Sequence, residues 1–139
     1  MAVHLDTDRD RFRAFRAMEH DGPVHMLNLV RLRERAEYED GRAATGAEAY
    51  AAYGRESGPI FRRVGGRIVW SGEMKLMVIG PDDLFWDLAF IAEYPDSDAF
   101  VEMVKDPAYQ IAVKHRQAAV ADSRLIRFHP KDPGAAFGE

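Results

Sequence analysis

Apolar residues recur along this chain with two periods, and the alternation between those periods predicts the order of its elements. Phe12, Phe15 and Met18 stand three residues apart, the spacing of one helix face. Thr7 with Asp10 three residues on supplies a cap and an acidic first turn, so residues 7–19 are predicted to form a short helix, stopped by Asp21-Gly22-Pro23. The run VHMLNLVRL, 24–32, is apolar on both alternating faces except at His25, Asn28 and Arg31, the pattern of a strand covered on both sides. Residues 33–44 are charged and aperiodic, hence a surface loop. Thr45 and Glu48 form a capping box, and the helix after it places Tyr50, Tyr53, Ser57, Ile60, Phe61 and Val64 on one face. Gly58-Pro59 is expected to kink that helix and Gly65-Gly66 to close it.

Residues 67–79 read as a long strand with a bulge or bend at Gly72. After the turn at 80–83 comes a second strand, 85–94, whose even positions, Trp86 to Tyr94, make its bulkier face. Pro95 to Asp98 supplies a stop and a new cap, and Phe100, Val101, Met103 and Val104 a short helix. Asp106-Pro107 breaks that helix and opens another, predicted over 108–121. Asp122 ends it, 123–128 is the final strand, and the Pro- and Gly-containing tail is expected to be loose.

After the first helix the order is therefore strand, helix, strand, strand, helix, strand. This is the α+β, ferredoxin-like split βαβ pattern: a four-stranded antiparallel sheet with helices on one face. The organisation expected is an N-terminal helical extension over 1–22, one domain over 23–128 and a tail over 129–139. Strands apolar on both sides leave a sheet face that the helices cannot cover. A homodimer made sheet to sheet is expected to cover it.

Composition narrows the functional classes. Hydrophobic residues make up 47% and charged residues 30% of the 139 positions, which suits a packed domain. A formal net charge of -4 argues against a nucleic-acid partner, which would need a basic face. The arginines of 9–16 alternate with aspartates and read as a solvated helix surface. The chain has no cysteine, which excludes disulfides, thiolate metal sites and cysteine nucleophiles. No secretory leader or bilayer-length apolar run is read, so no membrane partner and a cytoplasmic location are expected. The histidines show no metal-ligand spacing, and no phosphate loop or serine-nucleophile motif is present. No metal or cofactor is expected.

The candidate chemistry centres on His115, which follows Ala112 by three and precedes Ala119 by four and so falls on or beside the expected sheet-facing stripe of its helix. There it would move a proton, or simply be a satisfied core histidine. Asn28 interrupts an apolar strand and either orients backbone or points into a polar pocket. Asp87 caps a turn or holds a neighbouring side chain. Arg124 pairs with a carboxylate substrate or with Asp87 or Asp122. Tyr50 and Tyr53, on the inner face of the second helix, are core residues first and pocket donors second, and Trp86 is taken as a pocket residue.

Several stretches together resemble the family of the domain of unknown function numbered 1330, in the dimeric α/β-barrel superfamily. They are MLNL at 26–29, AYAAYG at 49–54, RVGGRIVWSG at 63–72, VIGP at 78–81, WDLAFIAEYP at 86–95 and 100–126. The resemblance implies the ferredoxin-like fold and the sheet-to-sheet dimer, with a pocket between sheet and helices, and no assigned reaction. Trp70 with Asn28 and His115 loosely resembles the Asn/Trp/His trio of haem-degrading relatives, although the tryptophan sits on a non-equivalent element. The expectation is a small-molecule-binding protein or cofactor-independent enzyme acting on a small carbonyl, carboxylate or aromatic compound by proton transfer or oxygenation. In it His115 and Asp87 are catalytic, and Asn28, Tyr53, Trp70, Trp86 and Arg124 bind substrate. The alternative is a non-catalytic ligand-binding or structural dimeric module.

Overall fold

The computed structural model describes residues 2–139, and its secondary structure follows local signals at most element ends. Helix α1 spans Arg9–Ala17. Its cap is Asp8 rather than Thr7, the Asp8 carboxylate accepting from Arg11 N–H at 2.8 Å. Strand β1 is Val24–Leu32. Helix α2, Gly46–Arg63, starts at the full Thr45–Glu48 capping box, with both reciprocal hydrogen bonds in place at 2.8 and 3.0 Å. It runs on through Pro59, which lies on the exposed side where a carbonyl without its donor is solvated. Gly65, at φ +89°, turns the chain out of it.

Strand β2 is only Arg67–Gly72, with a register shift between Ile68 and Trp70 instead of a bulge at Gly72. Residues 73–87 are irregular, and Leu76, Val78 and Ile79 are exposed. Their composition suits a strand, but the opposing strand β3 begins only at Leu88 and ends at Tyr94. With no ladder partner, the apolar run cannot satisfy its backbone as a strand. Helix α3, Ser97–Lys105, is capped by Asp96. Helix α4, Pro107–Ala119, is capped by Asp106 with proline in its first turn. It passes without a turn into β4, Val120–Phe128, so Asp122 lies inside a strand rather than ending the helix.

The four strands form one antiparallel sheet in the order β2-β3-β1-β4, the ferredoxin-like arrangement. Pairing of Val24 with Tyr94 and Met26 with Ala92 puts these four residues on one face. There they form the main core with Ile60 and Val64 of α2, Phe100 and Met103 of α3 and Tyr109 of α4. A second cluster, Val30, Ala49, Ala119 and Val120, closes the other end of the helix layer. Leu27, Leu29, Ala89 and Ile91 alternate onto the opposite face and are only half-buried. Trp70, Ile126 and Phe128 beside them remain exposed. The apolar uncovered face predicted from the strand pattern is thus present.

The N-terminal segment is tied to both ends of this frame. His4 N–H donates to the Asp122 carboxylate at 2.8 Å and the Ser123 N–H donates to His4 O at 2.6 Å, extending the β4 edge. Phe15 of α1 packs on Phe100 of α3 with ring centroids 4.7 Å apart. Among the described residues no helix is long and apolar enough to cross a membrane.

Candidate functional site

Between the sheet, helices α2 and α4 and the N-terminal segment lies a cavity of about 1170 Å³, somewhat larger than the usual range for small-molecule sites. Its walls combine phenylalanines from several elements, among them Phe12, Phe15, Phe61 and Phe90, with four tyrosines: Tyr50, Tyr53, Tyr94 and Tyr109. The tyrosines arrive from two directions. Tyr50 and Tyr53 project from α2, three residues apart on one face. Tyr109 comes from the first turn of α4 and Tyr94 from the end of β3.

Their hydroxyls are the chemical content of the site. Tyr53 and Tyr109 oxygens lie 2.8 Å apart. Two phenols supply two O–H donors, and their mutual hydrogen bond uses one, leaving the other for a third group. Tyr94 donates to the Met103 sulfur at 3.7 Å, a weak acceptor. Burial holds Tyr50, Tyr53 and Tyr94 well above the ordinary phenol range and pushes Tyr109 up to about 12. The charge of Arg116 acts against burial at Tyr50, Tyr53 and Tyr109. All four remain protonated at neutral pH and present donors rather than bases. From the sheet, Asn28 lines the cavity, and its side-chain amide donates to Met26 O at 3.0 Å.

Three predicted site residues line this cavity: Asn28, Tyr53 and Arg124. Arg124 is already occupied, donating to Asp122 at 2.7 Å and to Ser123 O at 2.8 Å. Its guanidinium carbon sits 5.4 Å from the Trp86 ring centre. Trp86 is buried beneath it, as an expected pocket residue would be, but packs outside the cavity wall. Trp70 lies on the uncovered sheet face, opposite Ile91 of β3. Asp87 accepts from Leu32 N–H at 2.7 Å and so closes the end of β1.

His115 lies at the seam between α4 and α2. It does not reach the cavity. Its Nε2 lies 2.7 Å from a Glu56 carboxylate oxygen on α2, and its Nδ1 lies 2.6 Å from the Tyr38 hydroxyl on the loop after β1. His115 turns toward α2, while Ala119 of the same stripe packs with Val30 of β1 and Ala49 of α2. Small residues at two of its positions let the helices approach, and the histidine fills the seam. Asn28, Trp70 and His115 therefore occupy three different surfaces of the fold and make no joint site. Among the described residues no three His, Asp or Glu side chains gather as a metal centre would require.

The cavity face of α4 is Tyr109, Val113 and Arg116, an i, i+4, i+7 stripe legible in the sequence. Tyr109 and Val113 are apolar enough to mark that face from the sequence, whereas Arg116 at its end is not. Arg127, whose Nη1 donates to Phe15 O at 3.1 Å, had no sequence signal beyond alternation on β4.

The profile of the family described as "Domain of unknown function (DUF1330)" matches residues 42–127. Two crystal structures of the RPA0582 protein, from Rhodopseudomonas palustris, share the whole architecture. The methylated form is 62% identical over 97% of this chain and 100% of that one, with a TM-score of 0.95. The other, described as a protein of unknown function, is 61% identical over 95% and 100%, with a TM-score of 0.92. An uncharacterised NIPSNAP-like domain protein from Burkholderia xenovorans, 19% identical over 84% of this chain and 92% of its own, has a TM-score of 0.51 and shares the fold alone. No curated protein matches the sequence.

Proposed function

The chain belongs to the family of the domain of unknown function 1330, and on that premise we propose that it is a small-molecule-binding protein whose ligand sits between sheet and helices. The observation that carries this is the cavity itself: aromatic walls that include Asn28 and the Tyr53–Tyr109 pair, whose mutual hydrogen bond leaves one hydroxyl hydrogen over. Polar groups with hydrogen-bonding capacity to spare, set among aromatic walls in a roomy cavity, support a ligand that completes them.

The ligand is a small aromatic compound bearing a carbonyl or carboxylate. The wall offers protonated phenols to its oxygen and aromatic faces to its body. Any turnover here uses proton donation and polarisation by Tyr53 and Tyr109 rather than a histidine base, because His115 and Asp87 are engaged elsewhere. Binding without turnover is favoured over general-base catalysis by the same geometry. The working unit is a homodimer joined through the sheet face of Leu27, Leu29, Ile91 and Trp70, whose exposed apolar side chains would otherwise face water.

Calorimetric titration with aromatic carboxylates and ketones tests the reading. Saturable binding that is lost on filling the cavity by Ser57→Trp is expected, since Ser57 lines the wall and is buried. Binding of such compounds undiminished in that variant would overturn it.

A further inference from the structure

The cavity wall carries six arginines, Arg11, Arg62, Arg67, Arg116, Arg124 and Arg127, and one carboxylate, Asp6, although the whole chain is acidic at -4. Three of the six are neutralised within 4 Å: Arg11 by Asp8, Arg67 by Glu93 and Arg124 by Asp122. Arg62 is exposed. Among the described residues neither Arg116 nor Arg127 has a carboxylate within 4.0 Å. Asp6 is itself held by Thr7 N–H at 2.8 Å and Gln117 at 3.1 Å.

Arg116 is the better placed of the two free cations. Its Nη1 donates to Leu5 O and its Nη2 to Ser123 Oγ at 3.2 Å. A guanidinium has five N–H donors in a planar fork, so three remain. Its field reaches the hydroxyls of Tyr50, Tyr53 and Tyr109. Tyr109 stands seven residues before Arg116 on one face of α4, and both line the cavity. A half-buried cation without an ion-pair partner, beside unused O–H and N–H donors and with the lining carboxylate, Asp6, already held by Thr7 N–H and Gln117, is a site for an anion from outside.

Resting on the reading of the cavity as a ligand site, we infer that its ligand is a small organic anion, a carboxylate on an aromatic body. Arg116 is the counter-charge and the Tyr53–Tyr109 pair the second donor. Arg124, the cation that sequence alone suggested, is excluded from this role by its pairing with Asp122. Arg127 stands along the wall from Arg116, with Nη1 on Phe15 O, Nη2 on Ser97 Oγ and Nε on His129. It adds positive potential but has fewer free donors.

The test compares 2-naphthoate with its neutral isostere 2-naphthamide by isothermal calorimetry on the full chain at neutral pH. The naphthoate is expected to bind at least about tenfold more tightly, the loss typical of one charge-assisted hydrogen bond. Arg116→Gln should abolish that preference, Arg116→Lys should retain part of it, and Arg124→Gln should leave it intact. Equal binding of the two probes to the wild-type chain overturns the anion assignment while leaving the cavity reading standing. Binding of neither removes both. A preference that survives Arg116→Gln removes Arg116 from the role. Should Arg116→Gln not fold, the wild-type comparison and Arg116→Lys still decide.

Discussion

His115 and Glu56 meet across the seam between α4 and α2, with Nε2 2.7 Å from the carboxylate oxygen. The Tyr38 hydroxyl at 2.6 Å from Nδ1 joins the loop after β1 to the same imidazole. The histidine thus fastens three segments that are far apart in sequence. Its side chain is 14% exposed and that of Glu56 46%, so the contact with Glu56 is weak and the half-buried Tyr38 bond matters more. His115→Ala is expected to cost about 1–2 kcal/mol of stability in urea unfolding. It should leave 2-naphthoate affinity within twofold of wild type. Lost binding in a variant of unchanged stability would return His115 to the site.

Two glycines of α2 should respond oppositely to the same substitution. A Cβ at Gly46 would stand 1.9 Å from Arg33 O, whereas one at Gly54 meets nothing within 4 Å. Gly46→Ala must push the first turn of α2 off the Arg33 backbone and is expected to destabilise by about 2 kcal/mol or more. Gly54→Ala should stabilise by roughly 0.5–1 kcal/mol, since alanine lowers unfolded-chain entropy in a helix. Paired thermal melts check both signs.

Asp122 ties the N-terminal segment to β4, and its titration should be visible in stability. Burial alone would raise its carboxyl, but hydrogen bonds from His4 N–H, Arg124 and Ser123 N–H outweigh burial and hold it below the ordinary carboxylate range. A group lowered in the folded state binds more protons when unfolded, so stability rises with pH through its window. The Asp122 contribution is complete above the ordinary value near ~3.9 and is lost as pH falls through the lower folded value. Asp122→Asn should flatten the unfolding free energy across that acidic window. An unchanged slope would show that the segment is held by other contacts.

The sheet face predicts association. Ile91 lies at its centre between Leu27 of β1 and Trp70 of β2. Ile91→Glu places a charge there while leaving the helix-side core untouched. It should convert a dimer to a monomer in scattering and size-exclusion at micromolar concentration. A wild-type chain that is already monomeric under those conditions would refute the interface.

Much of the frame was readable because its signals are local. The capping box at Thr45–Glu48 and the proline after Asp106 act within one helical turn, and the apolar run of β1 ended where the strand ends. Element order then left few topologies. The misread segment, 73–79, failed for a non-local reason: Leu76, Val78 and Ile79 have strand composition, but whether a strand forms depends on a partner that the chain does not bring alongside.

The candidate site divides along the same line. The sequence by itself determined that one helix carries both a histidine and an arginine, and that one strand carries a lone asparagine. Only the tertiary structure decided which of them share a space. One residue along a helix turns a side chain by about 100°, so His115 faces α2 while Arg116 faces the cavity. No local pattern sets that rotation. It is set by where α4 packs, with Ala112 and Ala119 fully buried and the Tyr109 hydroxyl meeting that of Tyr53.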